Sequence, residues 1–326
     1  MRNNIPVMRV PVALAVVAAI AVASPRHAAR AQTGKPTLFL IGDSTVKVGT
    51  IGQVGWGERI ADYFDPAKIT VVNAARGGRS SRTFQTEGLW DRVLSDVRTG
   101  DFVIMQFGHN DGSALFDTDR PRGSIQGTGD DAREGTVELT GEWEIVHSFG
   151  WYMRKYVADA RAKGATPIVC APIPRNVWKD GRVARDEYRA WARAVAESTA
   201  APFVDLTDII ARQYEQMGPD RVGALFPSDH THTNQAGADI NAASVIAGLK
   251  SLEPCGLCAY FSPKAAEVSR VVPSPLALVP GPSSVLGPRS MTGRGLWTTD
   301  QGRSQGRTKD QERRTRDRHE PLKLTR

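Results

Sequence analysis

The stretch Phe39-Leu40-Ile41-Gly42-Asp43-Ser44-Thr45 decides how the rest of the chain is read. Apolar residues run from Leu38 to Ile41 and stop at Gly-Asp-Ser. A continuous apolar run of this kind marks a strand buried on both faces, as in a parallel sheet. Its polar end then lies at the carboxyl edge of the sheet, where open α/β sheets bind ligands. Ser44 is therefore a candidate nucleophile, and it needs a base and an anion-stabilising site before it can do chemistry.

Outward from that strand the pattern repeats. Residues 69–73, 101–107, 166–171 and 202–206 read as four more strands. Helical spacing predicts helices over 55–64, 90–97, 146–163, 186–199, 207–217 and 234–252. Five rounds of alternation predict an α/β chain, a three-layer α/β/α arrangement around a five-stranded parallel sheet. Residues 112–145, rich in Gly, Asp and Thr, are too long for a passive connection and are expected to wall a substrate cleft.

Composition places the ends outside that core. Arg2 and Arg9 precede an apolar run over residues 11–24, too short for a membrane span of about 20 residues. Ala29-Arg30-Ala31 offers a small-residue cleavage site. Residues 1–31 thus read as a secretory signal peptide, which predicts an extracellular or periplasmic protein with no membrane span after its removal. The folded core is expected over residues 32–253. Residues 254–326 read as a low-complexity basic tail, disordered because so polar a segment buries too little apolar surface to offset its ordering entropy. The net charge of +7 sits at the ends: residues 270–326 hold 12 basic and 5 acidic side chains, and residues 1–31 hold 4 basic and no acidic ones. A body with more acidic than basic residues gives no reason to expect a nucleic acid partner. Of three cysteines, Cys170 ends an apolar run and reads as a buried hydrophobe. Cys255 and Cys258 form a C-x-x-C that leaves open a redox pair, half a metal site, or a disulfide in an exported protein.

Two loops supply candidate partners for Ser44. Asn110 follows the third strand, and its amide can donate to a developing oxyanion. Gly78 follows the second, and without a Cβ its N–H can approach a ligand closely. The Ser44 N–H is a third donor. The loop Asp229-His230-Thr231-His232 adds a histidine suited to take the serine proton and a carboxylate suited to orient the ring. Spacing leaves open whether Asp229 touches His232 or only orients the loop, whether His230 is the base instead, and whether the two histidines bind metal. Trp143 and Trp151 read as core residues ahead of sugar-stacking ones.

Gly42-Asp43-Ser44-Thr45, Gly77-Gly78-Arg79-Ser80, Gly108-His109-Asn110-Asp111 and Asp229-His230-Thr231-His232-Thr233 resemble the four blocks of the SGNH (GDSL) hydrolases, in the same order. Residues 226–234, with Ala236-Gly237-Ala238, Arg79-Ser80 and Gly150-Trp151-Tyr152, are similar to the rhamnogalacturonan acetylesterase branch. The resemblance spans about residues 36–252. It implies a flavodoxin-like SGNH fold, Ser44 as nucleophile, His232 as base, Asp229 as its orienting carboxylate, and an oxyanion hole of Ser44, Gly78 and Asn110. It implies no metal or cofactor, and a substrate of acetylated, pectin-like polysaccharide or oligosaccharide. By residue type, His109 is a candidate for substrate binding with a structural hydrogen-bonding role as the other reading, and Arg175 a candidate for substrate binding with a surface salt bridge as the other. An SGNH hydrolase acting on acyl lipids, lipase- or thioesterase-like, is the alternative, and a catalytically dead carbohydrate-binding scaffold is a third reading.

Overall fold

The apolar run quoted above forms β1 (Thr37–Gly42). Its alternation feeds two cores: Leu38 and Leu40 face one buried cluster, Phe39 and Ile41 the other. The computed structural model describes residues 34–117 and 119–271. The expected signal peptide and the tail beyond residue 271 lie outside the described residues.

β1 pairs with β2 (Thr70–Asn73) on one edge and β3 (Phe102–Gln106) on the other, both parallel. After a hairpin of β4 (Ala132–Thr136) and β5 (Trp143–His147), the main sheet gains β6 (Thr166–Cys170). A two-residue hairpin of β7 (Trp178–Lys179) and β8 (Arg182–Val183) precedes the edge strand β9 (Phe203–Val204). The sheet order is β2-β1-β3-β6-β9. The order reverses between β1 and β3, and such a switch point opens a crevice at the carboxyl ends of the strands. Ser44 follows β1 and Asn110 follows β3, so both stand at that crevice. Close approach there requires Gly42: a Cβ on it would lie 2.6 Å from the Gln106 carbonyl oxygen.

Helices cover both faces. α1 (Thr83–Thr86), α2 (Leu89–Asp96), α3 (Phe149–Ala162) and α4 (Glu187–Thr199) pack on the Phe39–Ile41 side through Phe84, Trp90, Tyr156 and Val195. α5 (Leu206–Met217), α6 (Pro219–Gly223) and α7 (Gln235–Lys250) cover the Leu38–Leu40 side through Ile210, Val222 and Val245. Side-chain caps fix four helix starts: Ser148 accepts from Trp151 N–H, Asp186 from Arg189 N–H, Asp205 from Asp208 N–H and Asn234 from Gly237 N–H.

Three expectations need correction. Residues 55–64 form two short 3-10 turns, Trp56–Glu58 and Ile60–Tyr63, because the amides of Trp56 and Gly57 donate back to the Thr45 and Val46 carbonyls. The helix expected from residue 146 starts at Phe149; Val146 and His147 pair across the hairpin with Arg133 and Ala132. The 112–145 segment carries most of that hairpin, which its weak apolar pattern concealed. The domain does not end at residue 253. Leu257 and Ala265 are buried in the main core, Phe261 lies against Phe64, and α8 (Pro263–Ala266) closes the unit. Cys255 and Cys258 are joined in a disulfide.

Candidate active site

The turn after β1 rests on a buried polar chain. Trp56 Nε1 donates to Gln106 Oε1 at 2.8 Å, and Gln106 Nε2 donates to Thr45 Oγ1 at 2.6 Å. Thr45 donates through both its N–H and its hydroxyl to Asp43 Oδ1, at 2.9 and 2.7 Å. Asp43 Oδ2 then meets His109 Nδ1 at 3.0 Å, and His109 Nε2 meets the Ile173 carbonyl at 3.0 Å. Both partners of His109 are acceptors here, an arrangement that favours a proton on each ring nitrogen and hence the charged ring. Burial opposes either charge, but each group holds the other charged. The Asp43 carboxyl is thus lowered and the His109 ring raised from their ordinary values.

This chain holds Ser44 between two fixed neighbours while leaving its hydroxyl at the surface of the cleft; the residue is 8% exposed. Ser44 Oγ lies 2.8 Å from His232 Nε2, and His232 Nδ1 lies 2.7 Å from Asp229 Oδ2. Asp229 Oδ1 also accepts from the backbone N–H groups of Thr231 and His232, both at 2.7 Å. Partial burial opposes the Asp229 charge, yet the bonds from the His232 ring and these amides hold its carboxyl down at about 2. The His232 loop is anchored on both sides. Val54 N–H donates to the Thr233 carbonyl at 2.8 Å, and Asn176 N–H donates to the His230 carbonyl at 2.7 Å. The His230 side chain is exposed, and it is His232 that reaches Ser44 Oγ, so geometry selects His232 from the two histidines. Among the described residues no group of three or more His, Cys, Asp or Glu could hold a metal ion.

Three donors belong to residues that line the same cleft as this dyad. Gly78 takes φ +78°, a conformation suited to glycine. Neither its N–H nor that of Ser44 has an acceptor among the described residues. Asn110 Nδ2 spends one hydrogen on the Arg79 carbonyl at 2.9 Å, which leaves its second free. Next to it, Asp111 accepts from Ser81 N–H and from the hydroxyls of Ser81 and Ser124. Burial outweighs those bonds and lifts its carboxyl to about 6. A histidine-backed hydroxyl that shares a cleft with N–H donors can carry out acyl transfer.

The site opens into a cleft of about 1180 Å³ lined by Ser44, Gly78, Asn110 and His232. Lys47, Arg76, Arg79, Arg120 and Arg122 line its walls, as does Trp143 on the hairpin. Trp143 is 60% exposed, not the core residue its type suggested. Trp151 is stacked on His147. His109 and Arg175, candidates for substrate binding from sequence, do not line the cleft. His109 spends both nitrogens internally, and Arg175 Nη2 donates to the His109 carbonyl at 3.0 Å. Sequence reading missed the His109–Asp43 pair, although both lie inside the motif blocks, because spacing gives no hint that blocks one and three meet.

The fold and this arrangement define an α/β ester hydrolase. A family model for the GDSL-like lipase/acylhydrolase family matches residues 40–240, and the chain belongs to that family, the SGNH hydrolases. A rhamnogalacturonan acetylesterase of Emericella nidulans is 34% identical over 208 residues, covering 63% of this chain and 81% of the relative. The Bacillus subtilis protein YesY, described as a probable rhamnogalacturonan acetylesterase, is 29% identical over 225 residues, covering 66% of this chain and 93% of the relative. The crystal structure of Bacillus subtilis YxiM superposes with a TM-score of 0.54 at 26% identity, covering 70% of this chain and 58% of YxiM. The chain is an esterase of the carbohydrate acetylesterase kind. Among the described residues no helix is long and apolar enough to cross a membrane.

Proposed function

We propose that the protein removes acetyl groups from an acidic, pectin-like polysaccharide of the rhamnogalacturonan type through a covalent acetyl-enzyme. The observation that carries this reading is the 2.8 Å contact of Ser44 Oγ with His232 Nε2 on the floor of an open, charged cleft. Ser44 attacks the acetyl carbonyl as its proton passes to His232 Nε2. Asp229 keeps the proton on Nδ1 and stabilises the imidazolium. The carbonyl oxygen becomes negative and is held by the N–H groups of Ser44 and Gly78 and by Asn110 Nδ2. Collapse breaks the ester bond; the sugar hydroxyl leaves with the proton from His232. Water, deprotonated by His232, then attacks the acetyl-enzyme and releases acetate and free Ser44.

The polysaccharide comes from the names of the relatives and is supported by the walls of the cleft. Basic side chains there outnumber acidic ones, and Glu87 and Glu144 are already engaged with Arg79 and Arg82. Such a surface suits uronate carboxylates and disfavours a long acyl chain. Export is supported by the leader pattern in residues 1–31 and by the Cys255–Cys258 disulfide, which suits an oxidising compartment.

The test compares p-nitrophenyl acetate with p-nitrophenyl octanoate, and acetate release from acetylated rhamnogalacturonan with that from acetylated xylan. Preference for acetate and for rhamnogalacturonan is expected. Preference for octanoate instead points to an acyl-lipid hydrolase. An N-terminal sequence of the protein recovered from culture medium or periplasm, beginning near Gln32, checks export.

A further inference from the structure

The loop that carries the Gly78 donor is held by three side chains on three successive carbonyls. Arg79 Nη1 donates to the Gly77 carbonyl at 3.0 Å, Arg122 Nη1 to the Gly78 carbonyl at 3.1 Å, and Asn110 Nδ2 to the Arg79 carbonyl at 2.9 Å. Each guanidinium is itself anchored. Glu87 Oε2 accepts from Arg79 Nε at 2.9 Å and lies 2.8 Å from Nη2; Ser113 Oγ accepts from Arg122 Nε at 3.3 Å. Within the loop the backbone offers little support, since Arg79 N–H reaches the Arg76 carbonyl only at 3.4 Å.

In a trans peptide the C=O and the following N–H point in opposite directions. The Gly77 carbonyl and the Gly78 N–H belong to one peptide plane, so a guanidinium on the carbonyl sets where the N–H points. We infer that Arg79, backed by Glu87, and Arg122 are positioning residues that hold the Gly77-Gly78-Arg79 peptides so that the Gly78 N–H faces the carbonyl oxygen attacked by Ser44. The glycine at 78 permits φ +78° but also admits other conformations, so the loop's aim has to be imposed from outside. The clamp therefore acts on transition-state stabilisation and not on the binding of a polymer.

This rests on the acyl-transfer reading of Ser44, and the experiment separates the two. Steady-state kinetics with p-nitrophenyl acetate, which has no carboxylate to bind arginine, are measured for Arg79→Met, Arg79→Lys, Arg122→Gln, Glu87→Gln and the Arg79→Met/Glu87→Gln pair, with Ser44→Ala alongside. Removing an oxyanion donor outright costs about 10²–10³ in kcat, so a misaimed one is expected to cost about ten- to hundredfold. KM should stay within about threefold, since the donor acts on the transition state. Arg79→Lys should recover part of the loss. Glu87→Gln should lower kcat less than Arg79→Met and add nothing in the double variant, because it acts through Arg79.

Folded Arg79→Met and Arg122→Gln enzymes with kcat within about twofold of wild type overturn the clamp. So does a loss confined to KM, or an additive effect of Glu87→Gln. If Arg79→Met fails to fold, Arg79→Lys and Glu87→Gln carry the test by the same criteria. Activity surviving in Ser44→Ala counts against the acyl-transfer reading itself; a dead Ser44→Ala beside unaffected arginine variants counts against the clamp alone.

Discussion

His109 Nδ1 lies 3.0 Å from Asp43 Oδ2, and this buried pair sits beneath the nucleophile turn with side chains 3% and 0% exposed. Removing one partner of such a pair strands a buried charge and costs about 3–5 kcal/mol. His109→Ala is therefore expected to lower stability by about that much in urea denaturation, and to lower kcat because Asp43 also holds Thr45. The pair has a definite pH window. The raised histidine contributes fully below its ordinary 6.5 and loses its contribution as pH rises through the raised value. The lowered carboxyl contributes above its ordinary 3.8 and loses its contribution as pH falls through the lowered value. Stability of wild type minus that of His109→Gln should thus be largest between those two ordinary values. A difference independent of pH removes the ion pair from the account.

The relay from Asp229 through His232 to Ser44 behaves as a unit, so its losses should not add. Ser44→Ala or His232→Ala is expected to lower kcat on an acetyl ester by about 10⁴-fold or more, and the double variant by no more than either. Asn110→Ala should cost about 10²–10³ in kcat, since it removes one donor from the oxyanion. A pre-steady-state burst of p-nitrophenol, measured with substrate in excess over enzyme, checks that an acetyl-enzyme forms.

Much of this was legible in the chain. The run ending at Ser44 placed the first strand and the nucleophile turn, because a strand buried on both faces leaves an unbroken apolar signature. The five-stranded parallel sheet followed from repeating that signature. The β4–β5 hairpin left no such trace: Ala132, Arg133 and Glu134 are exposed, so no alternation marks the strand. The packed segment after residue 253 was hidden for a related reason. It buries single residues, Leu257 and Ala265, and a disulfide joining its cysteines leaves no apolar period. Within the site, residue type made Ser44, Asp229 and both loop histidines candidates, and the family resemblance singled out His232. The carbonyl contacts of Arg79 and Arg122 could not be named in that way, because they depend on how a glycine-rich loop folds back on distant side chains.

Trp143 presents an exposed ring at the cleft wall, on the β5 strand of the hairpin. An aromatic face of this kind can stack on the apolar face of a pyranose ring; taking the contact as comparable to an aromatic pair gives about 0.5–1.5 kcal/mol. Trp143→Ala is expected to raise KM for acetylated polysaccharide by about three- to tenfold, with a much smaller effect on p-nitrophenyl acetate. Its melting temperature should barely move, since the ring is largely solvent-exposed. Equal loss on both substrates in kinetic assays would assign Trp143 to the architecture of the cleft instead.

Asp111 ties the loop after β3 to Ser81 and Ser124, and burial lifts its carboxyl from the ordinary 3.8 to about 6. A carboxyl raised on folding binds its proton more tightly in the native state. Its contribution to stability is then fully present below 3.8 and is lost as pH climbs through about 6. Over that window the native protein holds up to one proton more than the unfolded chain, which lowers stability by at most about 1.4 kcal/mol per pH unit. Asp111→Asn keeps an acceptor for Ser81 N–H and removes the titration. Wild-type stability minus variant stability, from urea unfolding at pH 4, 5, 6 and 7, should therefore fall with rising pH and level off above about 6. Parallel profiles would mean that Asp111 is ionised throughout, held down by its three serine donors against the cost of burial.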